Sequence, residues 1–570
     1  MHSSAARTFV VIIIFLFAAI VARLFYLQIY ASLSLLYRSK HNYVRYESVA
    51  SPRGSILDCK GRQLATNRPI ISLVWQGTGS RRLTDVQKES LQQLAHFLNL
   101  TIDTAELEHK ERQRRRCVLV EELSFNQLSV IMEQFPEHPN ICCETHMQRY
   151  YPEHQLACHV LGYITLAAQQ LGAMQAGVMG LERAFDRALR GVPGQMLTTI
   201  NSCGHHVSQQ ELQRALVGES IRTTIDMDYQ KIAEECFPEQ ERGVLLMMEA
   251  TTGALRVVLS RPGFDPNLFT HPLTKTDWKK LLDNQAFINR AFSACYPPAS
   301  LFKLVTMIAA LDTHLINTDE HWYCPGYTIF AGRPYACMNR RAHGHVSIED
   351  AISKSCNIPF YDIACKMKIN TLAVYAQWLG LGTSTNSVIG EKTGLIPTTQ
   401  WKYAKYGEPW WPGETLSASI GQSYTLITPL QACRLIGTVC QGYRVTPFLL
   451  EGYPVERVVP PINSSVLSYI KQGMRHVAQK GTGIVLKNLP MTIYAKTGTA
   501  QTRSLAQSAL VPEGPDSHAW FAAHVTYEDG VPFVLVILLE HAGTSRRAVA
   551  VAKDFLTRYK KVCDAHAAHS

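Results

Sequence analysis

From Thr8 to Ala22 nearly every residue is apolar, and past Arg23 the run continues as Leu-Phe-Tyr-Leu-Gln-Ile to Tyr30. A bilayer core needs roughly 20 apolar residues in a helix. With Arg23 snorkelling to the interface beside Tyr26 and Tyr30, the pattern predicts one membrane-spanning helix over residues 8–30. The rival is a cleaved signal peptide, but the small pair Ala18-Ala19 lies inside a run that passes on without a clear cleavage site. Downstream the period changes. Ile70 to Trp75 reads as a strand, and residues 80–135 are charged with a helical period and polar loops. Gly177 to Gly194 reads as a short helix bracketed by glycines, and Arg222 to Gln230 as a strand entering a helix.

A more regular pattern starts near Gly243. Val244–Met248 and Ala254–Leu259 are apolar runs joined across Glu249 to Gly253, a hairpin signal. Ala519–Val525 and Phe533–Glu540 form a second hairpin across Tyr527 to Gly530, and Arg546–Tyr559 reads as a closing amphipathic helix. Strands at both ends with helices between them predict an antiparallel sheet flanked by helices, an α+β fold. The expected organisation is a stub and anchor over 1–35, an adaptor region over 45–230 and a catalytic domain over 243–560.

At 570 residues, two or three domains are expected; 46% apolar and 18% charged residues exclude a disordered or fibrous chain. The net charge of +10 suits an anionic surface such as lipid head groups or wall polymers, and equally a solvated basic surface. The basic run Lys110 to Arg116 has no interleaved aromatics, so it reads as a solvated helix or loop, and no nucleic-acid partner is expected. Arg7 precedes the apolar segment while Arg23, Arg38, Lys40 and Arg45 follow it, so charge does not place the bulk of the chain outside. The 15 cysteines are odd in number and lack a CxxC pair, which leaves the redox compartment open.

Between the hairpins lies Pro297-Pro298-Ala299-Ser300-Leu301-Phe302-Lys303, followed by the apolar run Leu304–Leu311. The prolines set a helix start, and the all-round apolar run predicts a buried helix. Ser300 then sits in the first turn, where free N–H groups favour developing negative charge. Lys303 shares its face, and an apolar surrounding lowers a lysine's pKa until it accepts the serine proton. Ser355-Cys356-Asn357 adds a hydroxyl and an amide for proton relay and substrate positioning. Lys496-Thr497-Gly498-Thr499 follows a strand start at Thr492, with Lys496 offering positive potential to a carboxylate. Gly498 is expected to clear space for an extended peptide along the strand edge. Each element alone is common, as a cap, a turn or a strand end. Their order within one domain follows the logic of the β-lactamase and penicillin-binding signature.

Here the sequence resembles the class B penicillin-binding proteins, along nearly its whole length. Arg53-Gly54-x-Ile56-x-Asp58 and Gly61-x-x-Leu64-Ala65 are similar to the family's first non-catalytic motif. Arg149-x-Tyr151-Pro152, His159 to Tyr163 and Gly180-Leu181-Glu182 resemble its pedestal. Ser260-x-Pro262-x-Phe264 to Asn267, Asn289-Arg290-Ala291, Ser419 to Gln422 and Thr428 to Gln431 fall where the family has them. The resemblance implies a peptidoglycan D,D-transpeptidase of the bacterial inner membrane, with its bulk in the periplasm. It implies Ser300 as nucleophile towards stem peptides and β-lactams, Lys303 as base, and Ser355 and Asn357 as positioning and relay groups. Lys496 and Thr499 would bind the terminal carboxylate, with the N–H groups of Ser300 and Thr499 as oxyanion hole. A membrane glycosyltransferase and a wall-elongation complex are the implied partners. Three departures stand out: Ala299 and Ser423 where glycine is usual, and Cys59 where arginine is usual.

Cys324, Cys337, His343 and Cys356 are spaced 13, 6 and 13 apart. Three thiolates and an imidazole make a tetrahedral zinc set, although the spacing is not that of a zinc finger. A Cys324–Cys337 disulfide or simply buried thiols are the alternatives. Elongation-type members resemble this segment, and some bind zinc there, while division-type members generally lack the set. The resemblance therefore implies an elongation-type enzyme with a structural Zn2+ tethering the Ser355 loop. No organic cofactor is expected. The rival readings are a division-type septal transpeptidase, a β-lactam-recognising hydrolase or sensor, and an idle scaffold.

Overall fold

A computed structural model describes residues 2–569 except 114–115, 137, 167–174, 201–205, 272, 502–516 and 529. The apolar N-terminal run forms the helix His2–Phe25, continued by a wider turn over Tyr26–Tyr30. None of the apolar window over Thr8–Tyr30 is buried against the rest of the chain. By length and composition this helix is long and apolar enough to cross a membrane, consistent with a single-pass anchor.

The region before Gly243 is built mainly on two sheets, with a short two-stranded pair, Ile164–Leu166 and Gln175–Gly177, beside them. Val44–Val49, Gly194–Ile200 and His206–Gln213 form one of them. The other centres on the long strand Gln63–Gln76, which pairs with Ile141–Tyr150 and Arg116–Val120. Three helices, Asp85–Leu98, Thr104–Arg112 and Phe125–Gln134, occupy the segment expected to be helical, and their apolar faces bury Leu91, Leu94, Leu107 and Ile131. Side chains of Thr84, Asp103 and Ser124 cap them.

Two expectations for this region need correction. The basic run is neither wholly helix nor wholly loop: Lys110–Arg112 end a helix and Arg116 opens a strand. Arg114 and Arg115 lie outside the described residues. Cys117, Leu119 and Val120 of that strand pack on a local core, and this burial overrides the charge pattern around them. The glycine-bracketed helix is in fact two short ones, Gly180–Ala184 and Asp186–Arg190, parted at Phe185. Between them and the neighbouring strands lies a buried charge cluster. Glu182 accepts from Arg53 Nε at 2.6 Å, Arg149 Nε at 2.7 Å and Tyr151 OH at 3.1 Å.

From Gly243 the chain builds a five-stranded antiparallel sheet in the order Leu255–Arg261, Gly243–Glu249, Phe533–Leu539, His518–Thr526, Thr492–Ala500. Both hairpins read from the pattern are present, although Asp529 of the second turn lies outside the described residues. Every residue of Phe533–Leu539 is buried, so both faces of the sheet are covered. The helices Pro429–Gln441, Ser464–Lys480 and Ser545–His569 supply the cover, with Met227–Cys236 packed against the last. The helix Phe302–Asp312 is buried from Phe302 to Leu311. A fully buried Leu or Ile contributes about 1.5–3 kcal/mol. That is ample to hold its N-terminus rigidly against Thr492–Ala500, the strand at the sheet's open edge.

Candidate active site

Three segments far apart in sequence converge at that edge. Ser300 lies in the tight turn Ala299–Leu301 that leads into the buried helix. The turn is held on several sides. Trp520 Nε1 donates to Pro297 O at 3.0 Å, Ala299 N donates to Gly421 O at 3.0 Å, and Thr306 Oγ1 donates to Ser419 O at 2.8 Å. Ala299 adopts φ of +49°, a left-handed conformation that costs a residue with a Cβ about 1–2 kcal/mol. Gly421 is irreplaceable here, because a Cβ on it would lie 2.2 Å from Ala299 O.

One turn on, Lys303 is fully buried. Its Nζ donates to Ser355 O at 2.8 Å, Ser355 Oγ at 3.2 Å and Asn357 Oδ1 at 2.7 Å. All three acceptors are neutral. Burial pulls the Lys303 pKa down from 10.5 to about 8, with the Cys337 and Cys356 thiols pushing weakly the other way. Lys496 is also fully buried, and its Nζ donates to Ser355 Oγ at 3.0 Å and Thr497 O at 3.2 Å. Its pKa falls well below the usual lysine value, first through burial and then through the nearby charge of Lys303. A hydroxyl has two lone pairs and one proton, so Ser355 accepts from both lysines and keeps its own proton to pass on. Ser355 too is left-handed, at φ of +56°.

Asn357 is fixed by Nδ2 donating to Ala336 O at 3.0 Å, with Tyr361 OH alongside at 3.5 Å. The Thr497 and Thr482 hydroxyls are 2.6 Å apart. Ser300, Asn357 and Thr499 are partly exposed, whereas Lys303, Ser355, Lys496 and Thr497 are buried, so the arrangement has an open side and a closed floor. Gly498 departs from its expected reason. A Cβ there would point inward, 3.3 Å from Pro298 O and 3.5 Å from the Ala299 Cβ, so glycine admits the serine turn rather than clearing the strand's outer edge.

The cysteine–histidine set also comes together. Cys324 ends the strand His321–Cys324, and its carbonyl accepts from His343 N at 3.2 Å. The four ligand atoms all lie within 4.8 Å of one another. Cys337 Sγ is 3.7 Å from Cys356 Sγ and 3.4 Å from His343 Nδ1, and Cys324 Sγ is 3.6 Å from the same nitrogen. With metal–sulfur bonds of about 2.3 Å, a tetrahedral site has sulfur–sulfur edges of roughly 3.8 Å, so the donor set fits one. Cys324 and Cys337 are free thiols, not a disulfide. The hydrogen bond between the two thiols lowers the pKa of Cys337 and raises that of Cys356. Asn357 N donates to Cys337 Sγ at 3.4 Å, tying the cluster to the site's backbone.

Sequence reasoning missed Thr482, Tyr361, Trp520 and the carbonyls of Ala336 and Gly421. Carbonyl contacts leave no trace in residue types, and Trp520 lay unmarked inside the run Ala519–Val525 read as a hairpin strand.

Residues 243–557 match the family profile of the penicillin binding protein transpeptidase domain, and residues 48–223 that of the penicillin-binding protein dimerisation domain. The peptidoglycan D,D-transpeptidase MrdA of Haemophilus influenzae is 28% identical over 565 residues, covering 92% of this chain and 86% of that protein. Penicillin-binding protein PBP2 in complex with MreC from Helicobacter pylori has a similar fold, with a TM-score of 0.77 and 24% identity over 91% of this chain and 99% of that one. A chain of a peptidoglycan synthase complex that coordinates polymerization and crosslinking has a TM-score of 0.74 at 29% identity, covering 97% of both chains.

Proposed function

The chain belongs to the class B penicillin-binding proteins, and from that premise we propose that it cross-links peptidoglycan as an elongation-type D,D-transpeptidase. The observation that carries this reading is the meeting of Lys303 Nζ with Ser355 and Asn357, directly behind the serine turn. A lysine with a pKa near 8 is a competent base close to neutral pH.

In the proposed reaction Ser300 Oγ attacks the penultimate D-Ala carbonyl carbon of a stem peptide, and its proton passes to Lys303 Nζ. The N–H groups of Ser300 and Thr499 stabilise the oxyanion. The C–N bond then breaks, and terminal D-Ala leaves after its nitrogen takes a proton relayed through Ser355. An amine of a neighbouring strand attacks the ester, the C–Oγ bond breaks, and Ser300 regains its proton. Asn357 orients the donor peptide. Thr497, Gly498 and Thr499 line its carboxylate end, where Lys496 acts through its potential and its hold on Ser355. Fluorescent penicillin is expected to label the wild type and to leave Ser300→Ala unlabelled. Labelling that survives the substitution overturns the assignment, and rapid release of hydrolysed drug favours a hydrolase instead.

In this reading residues 1–35 form the cytoplasmic stub and inner-membrane anchor, 45–230 the pedestal and 243–560 the periplasmic transpeptidase domain. The partners are a membrane glycosyltransferase and the wall-elongation complex; enrichment at the septum rather than the lateral wall would favour the division type. Cys324, Cys337, His343 and Cys356 would hold a structural zinc. When bound, the ion supplies a closed cross-link rather than reactivity, because all four positions are taken by the chain. Cys356 would then fix its neighbours Ser355 and Asn357. Metal analysis of the purified protein is expected to find about one zinc per chain; its absence overturns this assignment.

A further inference from the structure

An aromatic shelf extends the site beyond Gly421. The helix Thr399–Tyr406 is followed by Pro412–Ser419, which leads into Gly421, whose carbonyl holds the serine turn. On this unit the rings of Trp401 and Tyr424 are 5.2 Å apart, and Tyr406 is 5.8 Å from the first and 5.7 Å from the second. The unit is locked from beneath. Lys402, only 1% exposed, reaches Glu414 Oε1 at 2.5 Å, with the rings of Trp410 and Trp411 each 6.0 Å away. Trp411 N donates to Glu414 Oε2 at 2.9 Å. Tyr406 of this cluster is 49% exposed, and Tyr403 on the same helix and Trp411 at the start of the next are 68% and 56% exposed. Lys405 adds a cation, 5.4 Å from the Trp401 ring centre and 5.7 Å from that of Tyr406.

The shelf also reaches the other side of the site. A Cβ on Gly413 would lie 2.8 Å from Tyr335 OH, and Tyr335 packs 5.5 Å from Tyr361, the neighbour of Asn357. Rigid, solvent-facing aromatic rings around a cation do nothing for the core, and such patches mark binding surfaces. Sugar rings present C–H faces that stack on aromatic side chains, and a lysine ammonium pairs with carboxylates. Resting on the transpeptidase reading, we propose that this shelf binds the glycan and adjoining acidic part of the peptidoglycan strand. It thereby favours strand-borne stem peptides over free ones.

The test compares D-Ala release from uncross-linked polymeric peptidoglycan with release from a soluble pentapeptide of the same sequence, using the full chain in detergent. Tyr403→Ala and Trp411→Ala are each expected to lower kcat/KM for the polymer about ten-fold relative to the pentapeptide, mainly through KM. An unchanged ratio, or equal losses on both substrates, overturns the shelf. Tyr403, the most exposed of the rings, keeps the test open should Trp411→Ala fold poorly. Penicillin acylation of the wild type separates the two readings: without it the transpeptidase assignment falls, whereas acylation with an unchanged ratio removes the shelf alone.

Discussion

Two buried charge clusters, one in the pedestal and one at the active-site floor, are built on opposite principles. In the pedestal, Glu182 stands between two buried guanidiniums, and Arg53 Nη2 also reaches Asp186 Oδ1 at 2.9 Å. At the floor, Lys303 and Lys496 are equally buried but meet only hydroxyl, amide and carbonyl oxygens. Arginine does not lose its proton in proteins, and an ion pair keeps both partners charged, so the first cluster is a static joint. A lysine surrounded by neutral acceptors is held in place without being held in its charged form. The difference separates a charge that braces from one that is free to move a proton.

The sharpest way to break this comparison is Lys303→Arg, which preserves the cation and most of its hydrogen bonds but removes the labile proton. Acylation by penicillin should fall about 10⁴-fold, as steeply as for Lys303→Ala; a mild loss would show that charge alone suffices. Next comes Glu182→Gln, which leaves two buried guanidiniums facing a neutral amide. Chemical denaturation should show about 3–5 kcal/mol less stability, with little change in the acylation rate of the folded fraction. The smallest effect is on pH. With Lys303 at about 8, the acylation rate should rise about ten-fold from pH 7 to pH 9 as the neutral amine forms. Between about 8 and 10.5 the folded enzyme has released a proton that the unfolded chain still binds, so folding stability should rise with pH across that window. A stability that falls across it would contradict the depressed lysine.

Both hairpins and the buried helix were legible because their apolar runs are long, whereas the strand carrying Lys496 showed only its start at Thr492. The pedestal was harder to read. Its strand Arg116–Val120 follows a run of arginines, and only tertiary contact with a small core reveals it. Ser300, Lys303, Ser355, Asn357 and Lys496 were all singled out from spacing and resemblance, and they converge as a group. Their burial was not fully legible: Lys496, expected to meet a carboxylate, lies beneath Ser355 with no exposed surface. Sequence names the groups but not the direction in which a strand aims them. The same applies to Gly498, where small size was foreseen and the neighbour demanding it was not.

The contact between Gly421 and Ala299 bears on where this segment tolerates substitution. A methyl group on Gly421 would collide with the backbone of the serine turn itself, so any side chain there displaces the segment that carries Ser300. Two positions on, Ser423 already carries a side chain at φ of +64° with its surface exposed. Side-chain bulk is therefore accommodated at Ser423 and excluded at Gly421, two positions apart on the same segment.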